Sequence, residues 1–202
     1  MTTVLAKIDA MSPRSTDAPQ RVVDAAAEML ARVGFNATSI REVTKAADAP
    51  LGSTYHHFPG GKQELLARAT SQAGDKVDAL LATLLQAGAQ EGLRQFLAIW
   101  RERLLRSQLR AGCPVLAAAV EEPSDGSDSI AREAAAAAFV RWEVQLADAL
   151  QRDGHAPEQA QQLATLLIAG VEGGVALSRA AQDIAPFDRV AAQLLRSIAL
   201  TR

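Results

Sequence analysis

One spacing runs through almost the whole chain: apolar side chains return every third or fourth residue, and the pattern stops only at Gly and Pro. Val22, Val23, Ala26, Ala27, Leu30 and Val33 form the first such face. Steps of three and four put side chains on one side of an α-helix, whereas a strand needs strict alternation. No alternating run with strand-like bounds is found. The reading is therefore all-α, about nine helices. A helix starts after Asp17, with Pro19 in its first turn and Gly34 at its end. Thr38 is expected to cap a short second helix carrying Ile40 and Val43. Pro50 opens a third, running to about Phe58, and Pro59-Gly60-Gly61 breaks it. Longer helices are expected over about 62–86, 92–110, 128–152, 157–182 and 186–200, with a short one over 114–121.

The organisation that follows is a tail over 1–15, a head of three short helices over 16–61, and a helical body over 62–202. A chain of 202 residues, 49% hydrophobic, holds one domain or one with an appendage, and is too apolar to be disordered in bulk. Its single cysteine, Cys113, rules out a disulfide scaffold. The most apolar stretch, 163–177, contains Glu172 and three glycines, and no long apolar core marks the N-terminus. Neither a membrane span nor a secretory signal is expected, leaving a cytoplasmic protein. The net charge is −2, but it is uneven. Residues 1–70 hold 8 basic against 7 acidic side chains, and the remainder 13 against 16. That distribution permits a nucleic-acid-binding head on an acidic body without requiring one.

The cluster at residues 35–65 carries the most chemistry. Two short helices joined by a tight turn are the helix-turn-helix arrangement, which lays its last helix in the DNA major groove. Thr38 and Ser39 bring hydroxyls to a helix start, Arg41 follows in the first turn, and Gly52 and Ser53 are small enough for close approach to base edges. Tyr55, His56 and His57 are polar aromatics on a helix too short to bury them all, and Lys62 opens the next helix. On spacing alone the cluster reads equally well as a DNA contact or as plain surface. Adjacent histidines point about 100° apart on a helix, so His56 and His57 make a poor metal site, and no metal or cofactor is expected.

The run from Gly34 to Val43, followed by Gly52-Ser53-Thr54-Tyr55-His56-His57-Phe58-Pro59-Gly60-Gly61-Lys62, resembles the DNA-binding domain of the TetR family of bacterial transcriptional regulators. The likeness spans about residues 17–66. The double glycine before Lys62, Gly112-Cys113-Pro114, the Phe139 to Trp142 step and Glu172-Gly173 resemble the LmrA/YxaF-like branch. The resemblance implies a homodimer on a palindromic double-stranded DNA operator, released when a small-molecule effector binds the body. Three positions depart from the family pattern. Asp48 stands where Gly is usual, in a left-handed turn that Asp tolerates better than most residues. Thr44 and Thr54 replace apolar residues. Leu51 stands where Lys or Arg is common, so either one phosphate contact is missing or Leu51 touches a thymine methyl instead.

In the body, Phe96, Trp100 and Leu104 form one stripe and Phe139, Trp142 and Leu146 another. By themselves these are core or pocket wall; the resemblance favours a pocket, with Cys113 and Leu116 at the adjoining helix break. The ligand expected there is small, mostly apolar and aromatic, with Arg103 and Glu143 available as polar anchors. Alanine runs 117–119 and 134–138 either leave space beside the indoles or allow close helix packing. Gly170, Gly173 and Gly174 lie in a helix apolar nearly all round, which suits close approach of another backbone. The resemblance places a dimer interface there, through Leu166, Gly170, Gly173 and Leu177. No phosphate loop or Ser/His/Asp set is visible, so an enzyme is not expected. The alternative is a helical small-molecule-binding or interaction protein that does not read DNA sequence.

Overall fold

A computed structural model describes residues 17–124, 126 and 129–199. The expected tail over 1–15, the predicted helix start at 128 and the helix end at 200 fall outside them. Among the described residues the chain is all-helical: α1 (Ala18–Ala37), α2 (Ile40–Ala46), α3 (Leu51–His57), α4 (Gly61–Leu84), α5 (Ala89–Arg106), α6 (Pro114–Val120), α7 (Ile130–Arg152), α8 (Pro157–Ala181) and α9 (Ala185–Ser197), with one 3₁₀ turn at Leu85–Ala87.

Helices α1 to α3 and the first turns of α4 close around Leu30, Phe35, Val43, Phe58, Leu65 and Leu66, all essentially enclosed. Burying one such side chain contributes roughly 1.5–3 kcal/mol, so these few residues are enough to hold the short helices, which would not persist alone. Asp48 takes the left-handed turn expected of it, at φ 49°. Arg21 fastens that turn by donating to the carbonyls of Ala47 at 3.1 Å and Asp48 at 3.1 Å. Thr44 and Thr54 are buried without strain, because each hydroxyl donates to a carbonyl of its own neighbourhood, Arg41 at 2.9 Å and Pro50 at 3.2 Å.

The body is built on α4, α7 and α8. An added Cβ at Gly74 would lie 2.8 Å from the Ala138 Cβ, so the alanine run of α7 serves close packing against α4. Trp142 ties the same two helices through its indole N–H, which donates to the Gly74 carbonyl at 3.2 Å. Helix α8 is the one described helix long and apolar enough by composition to cross a membrane. Here it packs against α7 and α9. An added Cβ at Gly170 would meet Leu194 at 2.8 Å and one at Gly174 would meet Phe187 at 3.2 Å. These two glycines therefore admit α9 of the same chain, so the close approach at Gly170 is made within the protomer. Gly173 has open space on its outer side.

Two body side chains grip the end of α1. Gly34 breaks that helix at φ 85°, ψ 179°. That conformation requires glycine, and a Cβ there would also push the Glu121 carboxylate from its place. Past the break, Glu121 accepts from the backbone amides of Phe35 and Asn36, each at 3.0 Å. Before it, Arg179 of α8 donates to the carbonyls of Ala31 at 3.3 Å and Arg32 at 3.0 Å. Val33, counted on the inner face by its spacing, is 54% exposed because α1 overhangs a surface groove at this point, shared with Leu109 and Ala176.

Candidate nucleic-acid interface and body cavity

Helix α3 turns Thr54 inward and leaves Leu51, Gly52, Tyr55, His56 and His57 exposed, with Ser53 half-buried. The His56 and His57 rings meet edge to face, with centroids 5.6 Å apart. Arg41 is exposed on the preceding helix, α2. Ser39 is the cap of α2, accepting from the Glu42 amide at 3.2 Å. This corrects the capping role expected of Thr38. Its hydroxyl is buried and donates to the Gly34 carbonyl at 2.6 Å, and its amide donates to Phe35 O, so Thr38 secures the bend after α1 and presents neither group outward. Lys62 donates to the Asn36 carbonyl at 3.0 Å and lies 5.1 Å from the Phe35 ring centroid. It is thus held beside the head. Among the described residues no group of three or more His, Cys, Asp or Glu is placed to hold a metal ion.

In the body, Phe96, Trp100 and Trp142 line one interior cavity of about 30 Å³ together with Leu146 and Glu172. A wider groove of about 560 Å³ adjoins it, lined by α1, α4, α5 and the start of α6. Val77, Phe96 and Trp100 belong to both, and Cys113 lines the groove. Other expected wall residues lie behind this surface. Leu104, fully enclosed, sits in the packed core one turn beyond Trp100. Phe139 stands edge-on to the Trp142 ring at 5.3 Å and supports it from outside the cavity. Leu116 is half-buried and is not among the residues that line the cavity or the groove; its backbone amide donates to Cys113 Sγ at 3.4 Å, the cap of α6.

The polar groups near the cavity also differ from expectation. Glu143 accepts from the Thr165 hydroxyl at 2.7 Å, away from the cavity. Arg103 lies across the Trp100 ring, 5.3 Å from its centroid, on the groove side. Glu172 is the acid that reaches the cavity. It is buried and hydrogen-bonded to the Cys113 thiol, while its Oε2 is enclosed with no hydrogen-bond partner. Burial pushes its carboxyl up to about 7, against the opposing pull of the Cys113 hydrogen bond and the Arg103 charge. Burial, and then the charge of Glu172, push the Cys113 thiol well above its ordinary value, so Cys113 is poorly suited to thiolate chemistry. A lone charge inside the apolar stretch of α8 was the sequence signal for Glu172; spacing could not show that it faces the tryptophans.

On the far side of α8, Leu166 is 48% and Leu177 57% exposed, flanking Gly173.

Three short helices with polar aromatics turned outward, set on a body of long helices, are the arrangement of a helix-turn-helix head. The family model described as bacterial regulatory proteins, tetR family, matches residues 22–69, and that of the transcriptional regulator LmrA/YxaF-like C-terminal domain matches residues 89–193. The chain is 37% identical over 180 residues to an HTH-type transcriptional regulator of Mycobacterium tuberculosis, covering 87% of this chain and 91% of the other. It is 28% identical over 172 residues to the HTH-type transcriptional regulator LmrA of Bacillus subtilis, covering 84% and 90%. The fold is that of a TetR transcriptional regulator from Legionella pneumophila, with a TM-score of 0.80 at 22% identity, covering 91% of this chain and 98% of that one. The chain belongs to the TetR family of bacterial transcriptional regulators, in the LmrA/YxaF-like branch.

Proposed function

We propose that the protein is a cytoplasmic homodimeric repressor that binds a palindromic operator and leaves it when a small, mostly apolar aromatic molecule enters the body. The functional division is a reading head over 16–61 and a sensing and dimerising body over 62–202, the boundary falling at the start of the continuous helix α4. The observation that carries the reading is the outward face of α3, where Tyr55, His56 and His57 stand in solvent, with Arg41 exposed on α2. Leu51, Gly52 and Ser53 would approach base edges, and Ser39, Arg41 and Lys62 the phosphates. Phe96, Trp100 and Trp142 would meet the effector, with Cys113 at the mouth. Leu166, Gly173 and Leu177 would meet the second copy, giving two heads related by a dyad and hence an inverted repeat.

The test is selection from random duplex DNA with the purified protein. An enriched inverted repeat is expected. Arg41→Ala should then lower the magnitude of the salt dependence of binding by about 0.9 per head, the value for one lost phosphate contact. Recovery of no preferred sequence, with Arg41→Ala indistinguishable from wild type, would sink the reading and leave a helical binding protein that does not read DNA.

A further inference from the structure

The body places one acid and three aromatic rings around a single small cavity. Glu172 stands in the wall of the cavity that Phe96, Trp100 and Trp142 line, with its Oε2 enclosed and unpartnered just behind the apolar surface. An unpaired buried carboxylate is costly, and the missing partner is a hydrogen-bond donor, best a positive one. Ring faces add to the case, since the quadrupoles of Trp and Phe attract cations within about 6 Å of the centroid. At about 30 Å³ the cavity accepts a group the size of one water molecule or one ammonium, and not a ring system. The adjoining groove, about 560 Å³, has room for the remainder of a molecule. It is lined next to the cavity by Val77, Phe96 and Trp100, with Arg103 over the Trp100 ring, and farther out by the Asp24–Lys76 ion pair, Glu28, and Arg106 with its partner Glu102.

The geometry points to a site for a monocationic amine with an apolar body: Glu172 and the rings of Phe96, Trp100 and Trp142 take the ammonium group, and the groove between α1, α4 and α5 takes the aromatic or alkyl remainder. This rests on the effector reading above and specifies its chemistry. Arg103 from α5 and Cys113 before α6 are the charged and titratable groups that act on Glu172; α4 and α7 turn only Val77, Leu81, Trp142 and Leu146 to the cavity. The Cys113 thiol stays protonated and donates to Glu172, so it leaves the second oxygen for the ligand. Because burial pushes Glu172 to about 7, the acid must lose its proton before it pairs with an ammonium, and binding of such a ligand releases that proton.

The experiment uses the full-length protein, 4-phenylbutylamine and its neutral counterpart 4-phenylbutan-1-ol, with binding read by tryptophan fluorescence at pH 6 and pH 8. An alkylamine, like Lys with its value near 10.4, stays protonated at both. The amine is expected to bind at least tenfold more tightly than the alcohol at pH 8 and to lose roughly tenfold between pH 8 and pH 6 as Glu172 takes up its proton. The alcohol should change little. Glu172→Gln should abolish both the preference for the amine and its pH dependence, leaving alcohol binding in place. Equal affinity for the two probes in wild type, or a pH-independent preference for the amine, overturns the proposal without any variant having to fold. If the amine binds as expected but leaves operator DNA bound in a mobility assay, the cation site stands and the release reading alone falls.

Discussion

Helices α3 and α8 invert one another. On α3 the polar side chains Tyr55, His56 and His57 stand in solvent and the apolar contacts go inward through Thr54 and the following Phe58. On α8 the acid Glu172 is enclosed, while Leu166 and Leu177 stand in solvent. Helix α3 keeps the ordinary rule that apolar groups go in and polar groups out, and α8 breaks it in both directions, where a partner would compensate the breach. The surplus of exposed aromatic donors on α3 suits a polyanion with base edges. The exposed leucines of α8, with open space over Gly173, suit a second apolar face. An enclosed Glu172 without a partner suits a ligand. The two regions teach that the function of the head is written in what it shows and that of the body in what it hides.

The comparison breaks first, and most severely, at the exposed face of α8. Leu166→Glu combined with Leu177→Glu puts like charges on a surface that should meet its own copy. The protein should remain helical and become monomeric by light scattering at micromolar concentration. Operator affinity should fall by roughly 10²–10⁴, the avidity of two linked heads. Retention of the dimer would show that the leucines face solvent for no purpose. Gly170→Leu is the wrong tool here, since it would strike Leu194 of the same chain.

The hidden acid gives the next largest effect. Glu172 is raised from 4.5 to about 7. Below about pH 4.5 both folded and unfolded chains hold the proton and there is no penalty. Between 4.5 and 7 the unfolded chain ionises and the folded one does not, so stability falls as pH rises, and the loss is complete above 7. Glu172→Gln removes the penalty, so the variant should match wild type in urea titrations at pH 4 and exceed it by about 3 kcal/mol at pH 8. A difference that does not change with pH would mean that Glu172 ionises as freely in the folded protein as outside it.

Much of this was legible in the chain. Periodicity and the Gly and Pro breaks delivered the helices, because amphipathic spacing and turn chemistry are local. The head's face was legible because α3 is too short to hide its polar aromatics. What sequence could not place were contacts set by how helices cross. Thr38 looks like a cap, yet its hydroxyl goes to Gly34 O and Ser39 caps instead. Gly170 looks like an interface glycine, yet α9 occupies the space beside it. Glu143 and Glu172 both adjoin aromatic stripes, and only the crossing of α7 and α8 decides that Glu172 enters the cavity.

Between the two regions lies the grip on α1. Glu121→Ala removes the acceptor for the amides of Phe35 and Asn36 and should lower stability by about 1–2 kcal/mol, as expected for charge-assisted bonds in a half-open site. Its sharper signature is hydrogen exchange: these two amides should lose protection while those in the middle of α8 keep theirs. Unchanged exchange at Phe35 and Asn36 would mean that the head closes without help from α6.

The smallest expected effect lies wholly within the head. Asp48 holds φ 49° in the turn between α2 and α3, where glycine is free of the steric cost borne by other residues. Asp48→Gly relieves that cost but gives the unfolded chain more freedom to lose. Asp is also among the residues that bear the left-handed region best, so the two terms nearly balance and a net gain of only about 0.5 kcal/mol is expected. Arg21 should mask none of it, since its bonds go to the carbonyls of Ala47 and Asp48 and survive the change. Gly34→Ala is the contrasting case, since φ 85°, ψ 179° lies in a region essentially reserved to glycine and the new Cβ would displace the Glu121 carboxylate, and it should cost several times more than Asp48→Gly gains. Thermal melts of the two variants without DNA decide the matter. If Asp48→Gly destabilises, the aspartate does more in the turn than tolerate its backbone, and the head is less forgiving of its departures from the family pattern than its hydrogen bonds indicate.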